Sequence, residues 1–181
     1  MFWIILIAIV AFLVAWVISA QRNLVKFDEL CGNSMSQIGV QLSSRWDAVG
    51  ALVQLTKNYD EHEYNTLNEI TARRAEIGSK STAADAQAQD DAITQLVSRI
   101  MAVAESYPDL KANTVYNQTM TSLNEYENNV RTSRMVYNDS VTKYNRYVRQ
   151  FPASLVAGAL GFLTREYLKA DDSKADMPAV N

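Results

Sequence analysis

Hydrophobic and polar positions divide this chain into four long stretches, and the first is apolar throughout. Phe2 to Ala20, FWIILIAIVAFLVAWVISA, contains no charge, no Gly and no Pro, and Ser19 is its one polar side chain. Nineteen residues at a rise of ~1.5 Å make a helix of roughly 28 Å, close to the ~30 Å hydrocarbon core of a bilayer. A helix satisfies its own backbone groups in lipid, so the stretch reads as a membrane span. Phe2, Trp3, Ile7, Phe12, Trp16 and Ile18 are its anchor residues, with Trp3 and Trp16 near the two headgroup levels. The competing reading is a cleaved leader ending at Ile18-Ser19-Ala20. Against it, no basic residue precedes the apolar run, and the run exceeds the ~7–15 residues usual for such leaders. Arg22 and Lys26 follow the span while no Lys or Arg precedes it, a bias that puts the C-terminal body in the cytoplasm.

Beyond Gln21 the pattern changes to a seven-residue repeat. Leu24, Cys31, Ile38, Leu52 and Tyr59 form one line, and Met35, Leu42, Val49 and Ile70 a second. This is the 3-4 spacing of a helix that buries one stripe against partner helices. Trp46, Val53 and Leu67 widen the stripe to the breadth a bundle helix needs. The repeat predicts a first helix running from the membrane to about Ala75. Gly32, Gly39 and Gly50 within it, at ~1 kcal/mol each, mark bends or close helix contacts.

Glu76 to Asp85 is small and polar and predicts a loop, with Thr82 and Asp85 spaced as a capping pair for a second helix. That helix carries Ile93, Leu96, Val97, Ile100, Met101, Val103 and Ala104, and stops at Tyr107 because Pro108 disfavours helix in the residue before it. Asn113 can cap a third, lined by Tyr116, Met120, Leu123, Val130, Tyr137, Val141, Tyr144 and Val148 and ended by Phe151-Pro152. A short fourth begins near Ala153 with Leu155, Val156, Ala159, Leu160, Phe162, Leu163 and Tyr167, interrupted by Gly158 and Gly161. Its apolar face is broad, which suits dense packing or contact with lipid or a partner. The chain thus divides into an anchor (1–21), a helical bundle domain (22–170) and an acidic, disordered tail (171–181). One length problem stays open. The second helix is too short to return along the first, unless the first bends, the third overhangs, or Tyr107-Pro108 kinks the chain without reversing it.

Composition narrows the function. Charged residues are 20% and the formal net charge is −3, which gives no basic field for nucleic acid. The single cysteine, Cys31, falls on the apolar stripe and reads as a buried structural thiol. Bundles hold di-metal sites through paired Glu-x-x-His motifs, but the single histidine, His62, has Tyr59 three residues before it. There is no phosphate-cradling glycine loop and no nucleophile motif. The sequence therefore predicts no catalytic, cofactor or metal residues, with a metal enzyme or hydrolase kept as the alternative from another class. More informative are charges inside the apolar lines. Arg45 stands between Ile38 and Leu52, and Glu127 and Arg134 flank Val130. Lone buried charges cost several kcal/mol, so the three predict an interior ionic network that sets helix register; the alternative is side chains that reach out beside the seam. The third helix is also rich in Tyr and Asn, notably Tyr137-Asn138 and Tyr144-Asn145. These fit buried rings with hydroxyls at the rim, or an exposed stripe that recognises a protein.

Several spaced motifs then add up. Gln37-Ile38-x-Val40-Gln41-Leu42-x-x-Arg45-x-Asp47 is followed by Glu105-x-Tyr107-Pro108-Asp109-Leu110-Lys111-Ala112-Asn113. Glu127-Asn128-x-Val130-x-x-x-Arg134-x-x-Tyr137-Asn138-x-x-Val141-x-x-Tyr144-Asn145 and Phe151-Pro152 complete the succession. Together they resemble the LemA family over almost the whole chain. The chain departs from the family at Ala48-Val49-Gly50-Ala51-Leu52-Val53, where members show Leu-Ile-Pro-Asn-Leu-Val, and at Gln21-Arg22, where members show Tyr-Asn. The resemblance implies an all-α protein: an N-terminal transmembrane helix, then an antiparallel four-helix bundle with long helices and a reversal at Tyr107-Pro108. It implies no enzymatic activity or ligand site, and a part in membrane organisation. The expected function is a non-enzymatic, single-pass scaffold or assembly protein that self-associates at the bilayer surface, with Gly32, Gly39 and the Tyr-rich faces as packing surfaces. Its partners would be the lipid bilayer and further copies of itself; the alternative is an adaptor that binds another membrane protein, such as a membrane protease.

Overall fold

A computed structural model describes residues 1–169, so the acidic tail expected at 171–181 lies outside the described residues. Those residues are all-helical, without a strand among them. Six helices follow one another: α1 (Phe2–Thr56), α2 (Glu61–Thr71), α3 (Ala83–Ser106), α4 (Pro108–Lys111), α5 (Thr114–Arg149) and α6 (Ala153–Leu160).

The first helix ends at Thr56 rather than near Ala75. Tyr59 and Asp60 both donate their N–H to the Thr56 carbonyl, which closes the last turn. Asp60 then leaves helical geometry and its carboxylate accepts from Glu63 N at 2.9 Å, capping α2. The chain reverses here and descends along α1. Tyr64 meets Gln54, Arg74 reaches Asp47 and Ser43, Ile77 lies against Gly39, and Ser79 lies against Gly32. A Cβ on Gly39 would stand 1.9 Å from the Ile77 carbonyl oxygen, so only glycine lets this segment approach. Gly32 and Gly39, expected to serve contacts between copies, are thus covered by the chain's own descending arm.

The Thr82–Asp85 pair forms a full capping box and starts α3, which climbs beside α1 until the Tyr107 ring reaches Tyr59 at a centroid distance of 6.1 Å. Tyr107 is extended ahead of Pro108, α4 makes the turn, and Asn113 caps α5 by accepting from Val115 and Tyr116. Tyr107-Pro108 therefore reverses the chain. α5 descends the length of α1: Ser140 meets Ser34 at 3.1 Å, and Asn23 donates to Tyr147 at 3.3 Å. The length problem disappears, because α5 has 36 residues, as many as α1 has from Gln21 to Thr56. The four arms of the up-down-up-down layout are α1, α2 with its extended continuation, α3 and α5.

The heptad lines of α1 supply the core. Leu24, Cys31, Met35, Ile38, Leu42, Val49 and Leu52 are buried, joined by Trp46, Val53 and Leu67. Each large aliphatic side chain so buried contributes about 1.5–3 kcal/mol. Ile93, Leu96, Ile100 and Val103 of α3 and Leu123, Val130, Tyr137, Val141 and Tyr144 of α5 face them. Two expectations fail at the edges. Met101 is exposed, and the fourth helix stops at Leu160, where Gly161 takes a left-handed φ of 75°. Leu163 and Tyr167 consequently stand on a non-helical segment rather than on the helix.

Candidate functional site

Each of three helices contributes one charged residue to a buried cluster. Arg45 on α1 and Arg134 on α5 both pair with Asp90 on α3, one to each carboxylate oxygen. Arg45 is 4% exposed. A guanidinium so placed costs several kcal/mol unless paired, and one two-oxygen carboxylate can serve two of them. Burial pushes the Asp90 carboxyl above its ordinary range, against the pull of Arg45 and then Arg134, while Asp91 and Glu127 add to the upward push. Glu127 itself pairs with Arg131, one turn on, at 3.9 Å. The acid that joins Arg45 to Arg134 is thus Asp90, which the sequence did not single out. Beside it, the side-chain oxygen Oε1 of Gln89 accepts from Trp46 Nε1 at 3.1 Å and from Ala75 N at 2.9 Å, tying the descending arm to the same level. Asp90 thereby ties α1, α3 and α5 together through its two ion pairs.

A second arrangement lies lower on α5 and accounts for the Tyr-Asn repeats. Asn145 Nδ2 donates to the Arg165 carbonyl at 2.8 Å, and Arg165 N donates back to Asn145 Oδ1 at 2.8 Å. Asn138, one heptad earlier, does the same with Leu168 at 2.9 and 3.0 Å. Tyr144 and Tyr137 donate their hydroxyls to the carbonyls of Leu163 and Glu166 at 2.8 and 3.1 Å. A carboxamide presents one acceptor and one donor as a peptide unit does, so the two asparagines read backbone as a neighbouring strand would. Burial pushes both phenols upward. The Arg165 side chain adds a 2.9 Å ion pair to Asp28 and lies 6.0 Å over the Tyr144 ring. Tyr137 and Tyr144 are thus buried rings whose hydroxyls, with Asn138 and Asn145, hold the chain's own segment 163–168.

The anchor residues have no such partners. Phe2, Trp3, Ile7, Phe12 and Ile18 are exposed, while Trp16 is half-buried against the core and Ala20 is buried. The N-terminal part of α1 is long and apolar enough to cross a membrane, and none of its most apolar eighteen-residue stretch is buried. Apolar surface on that scale is stable in lipid rather than in water.

Fold and surface together define an all-helical, membrane-associated protein. Comparison with known sequences goes one step further. The LemA family model matches residues 34–181, and the chain belongs to the LemA family. It is similar to the magnetosome proteins MamQ 2 and MamQ 1 of Paramagnetospirillum magneticum, each 26% identical over 200 residues that cover 96% of this chain and 73% of the relative. It is also similar to the magnetosome protein MamQ of Magnetospirillum gryphiswaldense, 23% identical over 158 residues, covering 73% of this chain and 58% of that protein.

Proposed function

We propose that this protein is a non-enzymatic, single-pass scaffold whose bundle self-associates at the bilayer surface. The observation that carries the reading is the continuity of α1, which runs unbroken from the exposed, apolar Phe2 to Thr56 in the bundle. Helix passes force and orientation along its axis, so the bundle stands in a fixed relation to the membrane. The Asp90 cluster and the Asn138/Asn145 clamp support the same role, because both stiffen a body rather than open it. Kinship with proteins named for the magnetosome fits a part in building a cellular structure rather than in turnover of a small molecule. Contacts between copies would use outward apolar residues such as Val40, since Gly32 and Gly39 are already covered. Arg22 and Lys26 beside the span favour a bundle on the cytoplasmic side.

Isolation from native membranes in a mild detergent, with mass determination, tests the reading. A single species holding several copies of this chain supports it. A monomer, alone or with a stoichiometric second protein, contradicts self-association, and the second protein would mark the chain as an adaptor.

A further inference from the structure

The end of the bundle nearest the span carries an apolar surface that the core does not use. From Phe151 to Leu163 the chain reads FPASLVAGALGFL, with no charge and Ser154 as its one hydroxyl. Ala153, Val156 and Ala157 of α6 face inward. Phe151, Leu155, Leu160 and Leu163 face outward, at 76, 65, 52 and 79% exposure. Leu155, Gly158 and Ala159 share one exposed stripe of α6, with Phe151 just before the helix and Leu163 just after it.

The level of this surface follows from its neighbours. Tyr147 packs on Phe27 at a centroid distance of 5.5 Å and bonds Asn23, and α5 ends two residues later at Arg149. α6 packs directly on α1. On α1, Trp16 is half-buried and Ala20 buried, although Val17 and Ile18 between them are exposed. α6 therefore lies against the last turns of the exposed apolar stretch, where a span of this length would meet the headgroups. It is held from both sides, by the end of α5 before it and by the Asn145 and Tyr144 bonds to Arg165 and Leu163 after it. Arg146 and Arg149 end α5 at the same level, and Arg22 and Lys26 leave the span there.

We propose that α6 and its flanks are a second bilayer contact. The outward face of Phe151, Leu155, Leu160 and Leu163 dips into the boundary between headgroups and acyl chains beside the span, and the neighbouring Arg and Lys residues favour anionic lipid. Continuity with the span names lipid as the occupant. An uncharged apolar face next to basic side chains is the pattern of a helix lying in an interface. The inference rests on Phe2–Ala20 crossing the bilayer, and the experiment separates the two.

Full-length chains carrying L155C, F12C or M135C are labelled with an environment-sensitive fluorophore and reconstituted into vesicles containing phosphatidylglycerol and lipids brominated along the acyl chain. Leu155, Phe12 and Met135 are all exposed, and Cys31 is buried and escapes the label. The expected result is blue-shifted emission quenched by bromolipid at positions 155 and 12, strongest at 155 with bromines near the headgroup, and water-like, unquenched emission at 135. Water-like emission at 155 with quenching at 12 overturns the inference and leaves the span. Emission at 155 that is blue-shifted but not quenched also overturns it, because protein then covers the face. No quenching at 12 removes the span and the inference together.

Discussion

Asn145 and Arg165 exchange two hydrogen bonds, each of 2.8 Å, one from the side-chain amide to the Arg165 carbonyl and one back from the Arg165 N–H. An internal helix thereby holds an extended segment twenty residues away as a strand would hold it. Replacing Asn145 by Ala leaves both backbone groups without that partner, at a cost of about 1–3 kcal/mol. Asn138 sits a heptad off, roughly 10 Å along the axis, and N138A costs a similar amount; both asparagines hold the same segment, so the two changes couple rather than add. Hydrogen exchange reads this directly: the Arg165 amide loses protection in N145A and the Leu168 amide in N138A, while the amides of α3 stay protected.

Asp90 makes the second prediction. D90A strands the Arg45 guanidinium in the interior, and breaking a buried pair in this way costs about 3–5 kcal/mol. E127A removes a half-exposed carboxylate, whose 3.9 Å pair with Arg131 is worth about 1 kcal/mol or less. Thermal melting of the two variants should differ accordingly. A larger loss in E127A than in D90A would return Glu127 to the centre of the cluster.

These two sites also mark how far the sequence could be read. The heptad lines, the Thr82–Asp85 box, the Asn113 cap and the stop before Pro108 are local signals, and each stands where its chemistry put it. The break at Lys57 to Asp60 was hidden because Tyr59, Leu67 and Ile70 keep the apolar spacing across it. The Asp60-x-x-Glu63 pattern was present as the cap signal all the same. In the sequence Asp90-Asp91 has the pattern of a solvated face; only the approach of α1 and α5 makes Asp90 an interior anion. Segment 163–168 escaped for a similar reason. Its apolar residues imitate a helix, and the left-handed Gly161 together with partners on α5 decides otherwise.

Two glycines should respond oppositely to the same change. G39A drives a methyl group into the Ile77 carbonyl and must push the descending arm away, costing about 1–3 kcal/mol. A methyl group added at Gly50 would meet nothing within 4 Å, so G50A gains roughly 0.5–1 kcal/mol of helix propensity. Melting temperatures below wild type for G39A and above it for G50A are expected.

Cys31 offers a chemical check on the core. Burial raises its thiol above the ordinary value, ahead of smaller effects from Arg165 and Asp28. The thiolate is the reactive form, so the folded protein should resist maleimide at neutral pH and react fully once denatured. Rapid labelling of the native protein would place Cys31 outside the core.

The most direct measurement concerns the union of the apolar stretch with the bundle. Membranes holding the protein are extracted with alkaline carbonate, and the retained chain is weighed intact. The expected result is a chain that stays in the pellet with Phe2 to Ala20 still attached. A chain released into the aqueous fraction and starting at Gln21 would contradict the membrane anchor and the bilayer contact of α6 with it.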